Sequence, residues 1–85
     1  MMPAQQIDIQ VIYDDDFDVL YVNLGDRAPS ESFPLNGFHG VYIKRDVYTE
    51  KITGYVIEDY SRQDIHLLNK LLPIPIPEDK LPQEI

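Results

Sequence analysis

The sequence predicts an α+β fold: an antiparallel β-meander of four to five strands, then one C-terminal helix and an extended proline-rich tail. Short runs of alternating apolar and polar residues, broken by Gly, Asn and Asp, mark half-buried strands and their turns. The stretch from Ile65 to Leu72 instead repeats its apolar residues at helical spacing. Directly after it, Pro73-Ile74-Pro75-Ile76-Pro77 stops the helix and favours extended backbone. The expected organisation is one domain over residues 1–72 and a tail over 73–85.

Residues 7–13 (Ile-Asp-Ile-Gln-Val-Ile-Tyr) and 19–24 (Val-Leu-Tyr-Val-Asn-Leu) read as the two arms of a hairpin. A five-residue loop, 14–18, would set Val11 against Tyr21 and Ile9 against Asn23. A four-residue loop, 14–17, sets Val11 against Leu20, Ile9 against Val22 and Ile7 against Leu24, which gives one clean apolar face. The second register is therefore preferred. Gly25 to Pro29 reads as a turn, and Ser30 to Leu35 as a short edge strand, because Pro34 disfavours a central position. After a glycine-containing connection, Val41–Asp46 and Ile52–Asp59 form a second hairpin, with Val41 opposite Ile57 and Ile43 opposite Tyr55. Tyr42 and Val56 also pair, on the other side. Strands apolar on both faces suggest a sheet covered twice, by the helix and by a second subunit. Ser61 is the expected helix N-cap, with Asp64 at the capping-box position; Ile65, Leu68 and Leu72 form the buried stripe, widened by Leu67 and Leu71.

Composition excludes several classes of function. The chain has 85 residues and a formal net charge of −8, with seven basic residues against fifteen acidic ones. Phosphate recognition depends on clustered Lys and Arg, so direct nucleic-acid binding is disfavoured, whereas a basic protein partner would suit the acidic surface. No run approaches the ~20 apolar residues that span a bilayer, and the start does not read as a secretory signal. Absence of cysteine rules out disulfides and thiolate metal sites and fits a cytoplasmic setting. A core this small makes self-association a general expectation.

The run Asp14-Asp15-Asp16-Phe17-Asp18 offers the most chemistry. Asp14, Asp16 and Asp18 have the one-three-five spacing of a calcium loop, but Val19 and Gly25 occupy the positions of its glycine and bidentate glutamate. The expectation is a turn in which Asp14 and Asp18 accept loop N–H groups, with no metal bound. His39 and His66 lack ligand spacing. Ser30, Ser32 and Ser61 lack a nucleophile elbow. Glu58 and Asp59, as strand neighbours, point to opposite faces. No glycine loop that could cradle a phosphate cofactor is present. Six tyrosines suit an interface as well as a sheet, and the rigid tail displays Ile74 and Ile76; Tyr42, Tyr55, Ile74 and Ile76 are accordingly the candidate interaction residues.

Tyr13-Asp14, Asp18, Leu20-Tyr21 and Leu24, followed by Gly40-Val41 and Gly54-Tyr55-Val56-Ile57-Glu58-Asp59-Tyr60-Ser61, resemble the signature of domain-of-unknown-function family 2283 over roughly residues 10–61. Val56 replaces the family's glutamate, the second hairpin turn lacks the usual glycine, and the Phe33–His39 connection is longer than typical. The resemblance implies an antiparallel sheet with a following helix, in small prokaryotic proteins of which some are suspected antitoxins. It marks Tyr13, Asp14, Asp18, Leu20, Tyr21 and Gly54 as the motif. The leading expectation is non-enzymatic protein–protein interaction by a homodimer, with antitoxin-like neutralisation of a basic partner. The alternative is an enzyme or ligand-binding site formed between subunits around Asp14, Asp18, His39 and Glu58.

Overall fold

The computed structural model describes residues 8–25 and 27–82. Five strands, β1 (Ile9–Asp14), β2 (Val19–Leu24), β3 (Ser30–Pro34), β4 (Val41–Asp46) and β5 (Ile52–Ile57), form one antiparallel sheet in the order β1-β2-β5-β4-β3. The α+β class is therefore shown. β3, β4 and β5 run as a meander, and the β1–β2 hairpin closes onto β5, so the last-made strand lies in the middle. A 3-10 turn (Tyr60–Arg62) leads into helix α1 (Ile65–Leu71), and a second 3-10 turn follows at Glu78–Lys80. No helix among the described residues is long and apolar enough to cross a membrane.

The first hairpin keeps its expected apolar face but not its expected register. Ile9 pairs with Leu24, Val11 with Val22 and Tyr13 with Leu20, leaving a four-residue loop at 15–18. The shift from the expected partners is two residues, so side-chain parity is preserved. It occurs because Tyr13 joins the apolar face and Asp14 is the last paired residue. The expected partner Ile7 lies outside the described residues. In the second hairpin Val41 pairs with Ile57 and Ile43 with Tyr55 as read from the sequence, and a bulge at Lys44/Arg45 accommodates the turn beyond. β3 is an edge strand, which tolerates Pro34.

Gly54 sits where β5 meets β2, opposite Asn23. A Cβ at this position would overlap the carbonyl oxygen of Val22, so the close approach of the two central strands requires glycine.

One face of the sheet is covered. Leu20, Val22 and Leu24 of β2, Val41 of β4, and Tyr55 and Ile57 of β5 are buried under Leu68, Leu72, Ile76 and Leu81. Three sequence expectations are corrected here. The helix starts later than Ser61: Asp64 is its N-cap, accepting from the Leu67 amide at 3.2 Å, and Leu67 and Leu71 point to solvent instead of widening the stripe. The segment after Leu72 is also not a tail outside the domain, because Ile76 and Leu81 complete its single core.

The way this segment is held explains its alternating sequence. Prolines at 73, 75 and 77 have no N–H, leaving donors at Ile74 and Ile76. The Tyr55 hydroxyl accepts the Ile74 N–H at 3.0 Å and donates to the Ile74 carbonyl at 2.9 Å. Asn69, buried on α1, does the same for Ile76: its Oδ1 accepts the N–H at 2.7 Å and its Nδ2 donates to the carbonyl at 2.8 Å. The segment thus buries an extended backbone without joining the sheet, its polar groups met by two side chains.

Candidate functional site

The aspartate-rich hairpin is divided between two tasks. Asp14 Oδ1 accepts the amides of Asp16 (3.0 Å) and Phe17 (3.4 Å), as expected of an Asx-type turn. Asp18 does something else, and the expectation that it caps its own loop is corrected. Its φ is 56°, the left-handed region that aspartate tolerates better than most residues, and its carboxylate turns back toward the sheet. There it receives the Tyr13 hydroxyl (2.7 Å), the Ser61 hydroxyl (2.6 Å) and the Ser61 amide (3.0 Å). Its carbonyl accepts the Tyr60 amide at 2.9 Å, and the Tyr60 ring lies 5.5 Å from that of Tyr13, tilted by 57°. Ser61 therefore serves Asp18 and not the helix.

These bonds latch the hairpin tip to the β5–α1 connection and shift the ionisation of Asp18 and Tyr13. The hydroxyls of Ser61 and Tyr13 hold the Asp18 carboxyl below its ordinary value. Chiefly because it donates to that carboxylate, Tyr13 is pushed up to about 12. A downward shift is the opposite of what a carboxyl general acid needs near neutrality. Of the motif residues, Tyr13 and Asp18 tie the hairpin tip to Tyr60 and Ser61 of the β5–α1 connection, whereas Leu20 lies in the core and Gly54 at the β2–β5 contact.

Without Asp18, the calcium-like spacing is reduced to Asp14 and Asp16, which with Asp15 bring one carboxylate oxygen each to within 4.8 Å of the others in the turn. His39 is exposed in the β3–β4 connection, where its carbonyl accepts Gln63 Nε2 at 2.7 Å. Asp14, Asp18, His39 and Glu58 share one end of the sheet, and none of them lines the concavity on the outer face described below. His66 meets Glu78 at 3.5 Å on the surface.

Comparison of the chain with protein-family models, curated proteins and solved structures returned no match.

The other candidate is the face of the sheet opposite α1. Strand pairings align Ile12, Tyr21, Val56, Tyr42 and Pro34 in one row across all five strands. No described element covers this row, and Ile12 (52% exposed) and Tyr21 (40%) stand open to solvent. Continuous with it, a concavity of about 330 Å³ is lined by the apolar Ile12 and Tyr21 and by the cationic Arg27 and Lys44, among others. Of the residues expected at an interface, only Tyr42 lies on this face. Tyr55 and Ile76 belong to the core and Ile74 packs against it, which corrects their assignment as interaction residues. Parity separates Tyr42 from Tyr55, since Tyr55 pairs with Ile43 and not with its neighbour. Arg27 and Lys44 were not singled out by sequence. Their meeting depends on the non-local order of the strands.

Charge is also unevenly distributed along the strands. The end bearing the β1–β2 turn and the β5–α1 connection carries Asp14, Asp15, Asp16, Asp18, Glu58, Asp59 and Asp64, against Arg62 alone. Toward the opposite end Arg27, Arg45 and Lys51 stand among Asp8, Glu31, Asp46 and Glu50, so that end is nearly balanced.

Proposed function

We propose that this chain works by protein–protein interaction, and that the sheet face opposite α1 is its docking surface. The observation that carries this reading is the uncovered row Ile12–Tyr21–Val56–Tyr42–Pro34. A central sheet face of β-branched and aromatic residues is stabilised by removal from water, at about 25 cal/mol per Å² of apolar surface, and tyrosine is suited to such contacts. The resemblance to family 2283 supports the same reading and extends it: a prokaryotic, cytoplasmic chain of net charge −8 whose acidic end offsets the charge of a basic, toxin-like partner. Nucleic acid is a poor partner for such a charge.

The test compares the native chain with an Ile12→Lys/Tyr21→Lys variant, using sedimentation and recovery of complexes from the native extract. We expect the native chain to associate, and the variant to keep its circular dichroism spectrum but lose its associations. A native chain that sediments as a monomer at high concentration and comes out of its extract alone would refute the reading.

A further inference from the structure

Resting on that reading, we infer that the occupant of the outer face is a second copy of this chain, packed antiparallel, with the β1–β2 tip of each copy seated in the Arg27/Lys44 concavity of the other. The tip and the concavity are complementary in two independent ways. The tip presents Phe17, 76% exposed, beside the exposed carboxylates of Asp15 and Asp16. The concavity is lined by the apolar Ile12 and Tyr21 together with the cations of Arg27 and Lys44. No described carboxylate lies within 4 Å of either cation, and no described cation lies that close to Asp15 or Asp16. Both halves of the match are thus unpaired within the described chain.

The geometry of the sheet supplies the rest. The tip lies at one end of the strands, while Arg27, in the β2–β3 connection, lies at the other. When two such faces meet with their strands antiparallel about a two-fold axis, each acidic end lies over the less acidic end of its partner, and both tip contacts form together. Parallel packing would instead stack two clusters of carboxylates, so like-charge repulsion selects the antiparallel arrangement. Phe17 then has the role of an aromatic anchor in a partly apolar pocket, surrounded by ion pairs that set orientation.

Sedimentation equilibrium of charge-reversed full-length chains tests this. Asp15→Lys/Asp16→Lys and Arg27→Glu/Lys44→Glu should each weaken self-association by about tenfold or more, while a one-to-one mixture of the two restores it, because the mixed dimer has one native contact and one re-formed with inverted sign. Phe17→Ala should weaken it without changing its salt dependence, and added salt should weaken the native dimer. Unchanged circular dichroism spectra establish that each variant is folded. The inference is overturned if both charge variants dimerise like the native chain, or if mixing them restores nothing. It is also overturned if the native chain is monomeric; should it then bind a different protein that Ile12→Lys/Tyr21→Lys loses, the interaction reading survives and only the second copy is refuted.

Discussion

Replacing Asn69 by alanine should destabilise the domain by about 3 kcal/mol, although no contact with the sheet ladder is lost. The amide side chain meets both polar groups of Ile76, a residue only 1% exposed, at 2.7 and 2.8 Å. Removing it leaves one buried N–H and one buried carbonyl without partners, each worth roughly 1–3 kcal/mol. Alanine returns about half a kcal/mol through its better helix propensity in α1, which brings the sum to about 2–5 kcal/mol. A domain of 85 residues has a total stability on the order of 4–13 kcal/mol, so the loss is a large fraction of the whole. Urea denaturation followed by circular dichroism gives the number directly, as a drop in midpoint at unchanged slope. Leu67→Ala, on the exposed side of the same helix, is the control and should be nearly silent. A loss under about 1 kcal/mol for Asn69→Ala would refute the claim that this side chain holds a buried extended segment.

Gly54→Ala should cost at least about 3 kcal/mol, or prevent soluble expression, because its methyl group would enter the Val22 carbonyl and part the two central strands; thermal unfolding near that of the native chain would contradict this. Ile76→Ala should cost about 2–5 kcal/mol by cavity formation, whereas truncating an exposed apolar residue in a free tail would cost almost nothing. The latch predicts two pH dependences of opposite sign. Asp18 is held below its ordinary value of 3.8, so its contribution is complete above that value and is lost as pH falls through its folded pKa; Asp18→Asn should flatten the acid limb of a stability–pH curve. Tyr13 is raised from 10.0 to about 12, so its contribution is complete below pH 10 and is lost as pH rises through 12. Ultraviolet titration should show a tyrosinate forming near the upper value that is missing in Tyr13→Phe.

Side-chain parity was legible in the sequence; distance along the chain was not. Ile9, Val11, Leu20, Val22 and Leu24 could be placed on one face because a strand alternates with period two, and that face survived a register shift of two residues. The observed register is accompanied by a hydroxyl–carboxylate bond between Tyr13 and Asp18, which no apolar pattern reports. Ser61 and Asp64 both resemble helix caps, and the competition was decided by Asp18, 43 residues away from Ser61. The Pro-Ile repeat did announce that two N–H groups would need partners, but nothing local pointed to Tyr55 and Asn69. On the outer face, Tyr42 and Tyr21 followed from parity, whereas Arg27 beside Lys44 follows only from β2 and β5 being neighbours.

The central position of β5 has a consequence for synthesis. Emerging from the ribosome at roughly 5–20 residues per second, the chain makes the β1–β2 hairpin first, then β3 and β4, which pair only with each other. Neither piece is a sheet with a covered face, and an isolated hairpin is marginal in water. The strand that joins them is complete only at Ile57, and the residues that roof the core, Leu68, Leu72, Ile76 and Leu81, appear later still. Until then Leu20, Val22 and Val41 remain wetted and open to wrong partners. The domain therefore has no stable intermediate length: a ribosome stalled anywhere before Leu81 holds a sticky polypeptide, and a chaperone that shields apolar strands would find its substrate there.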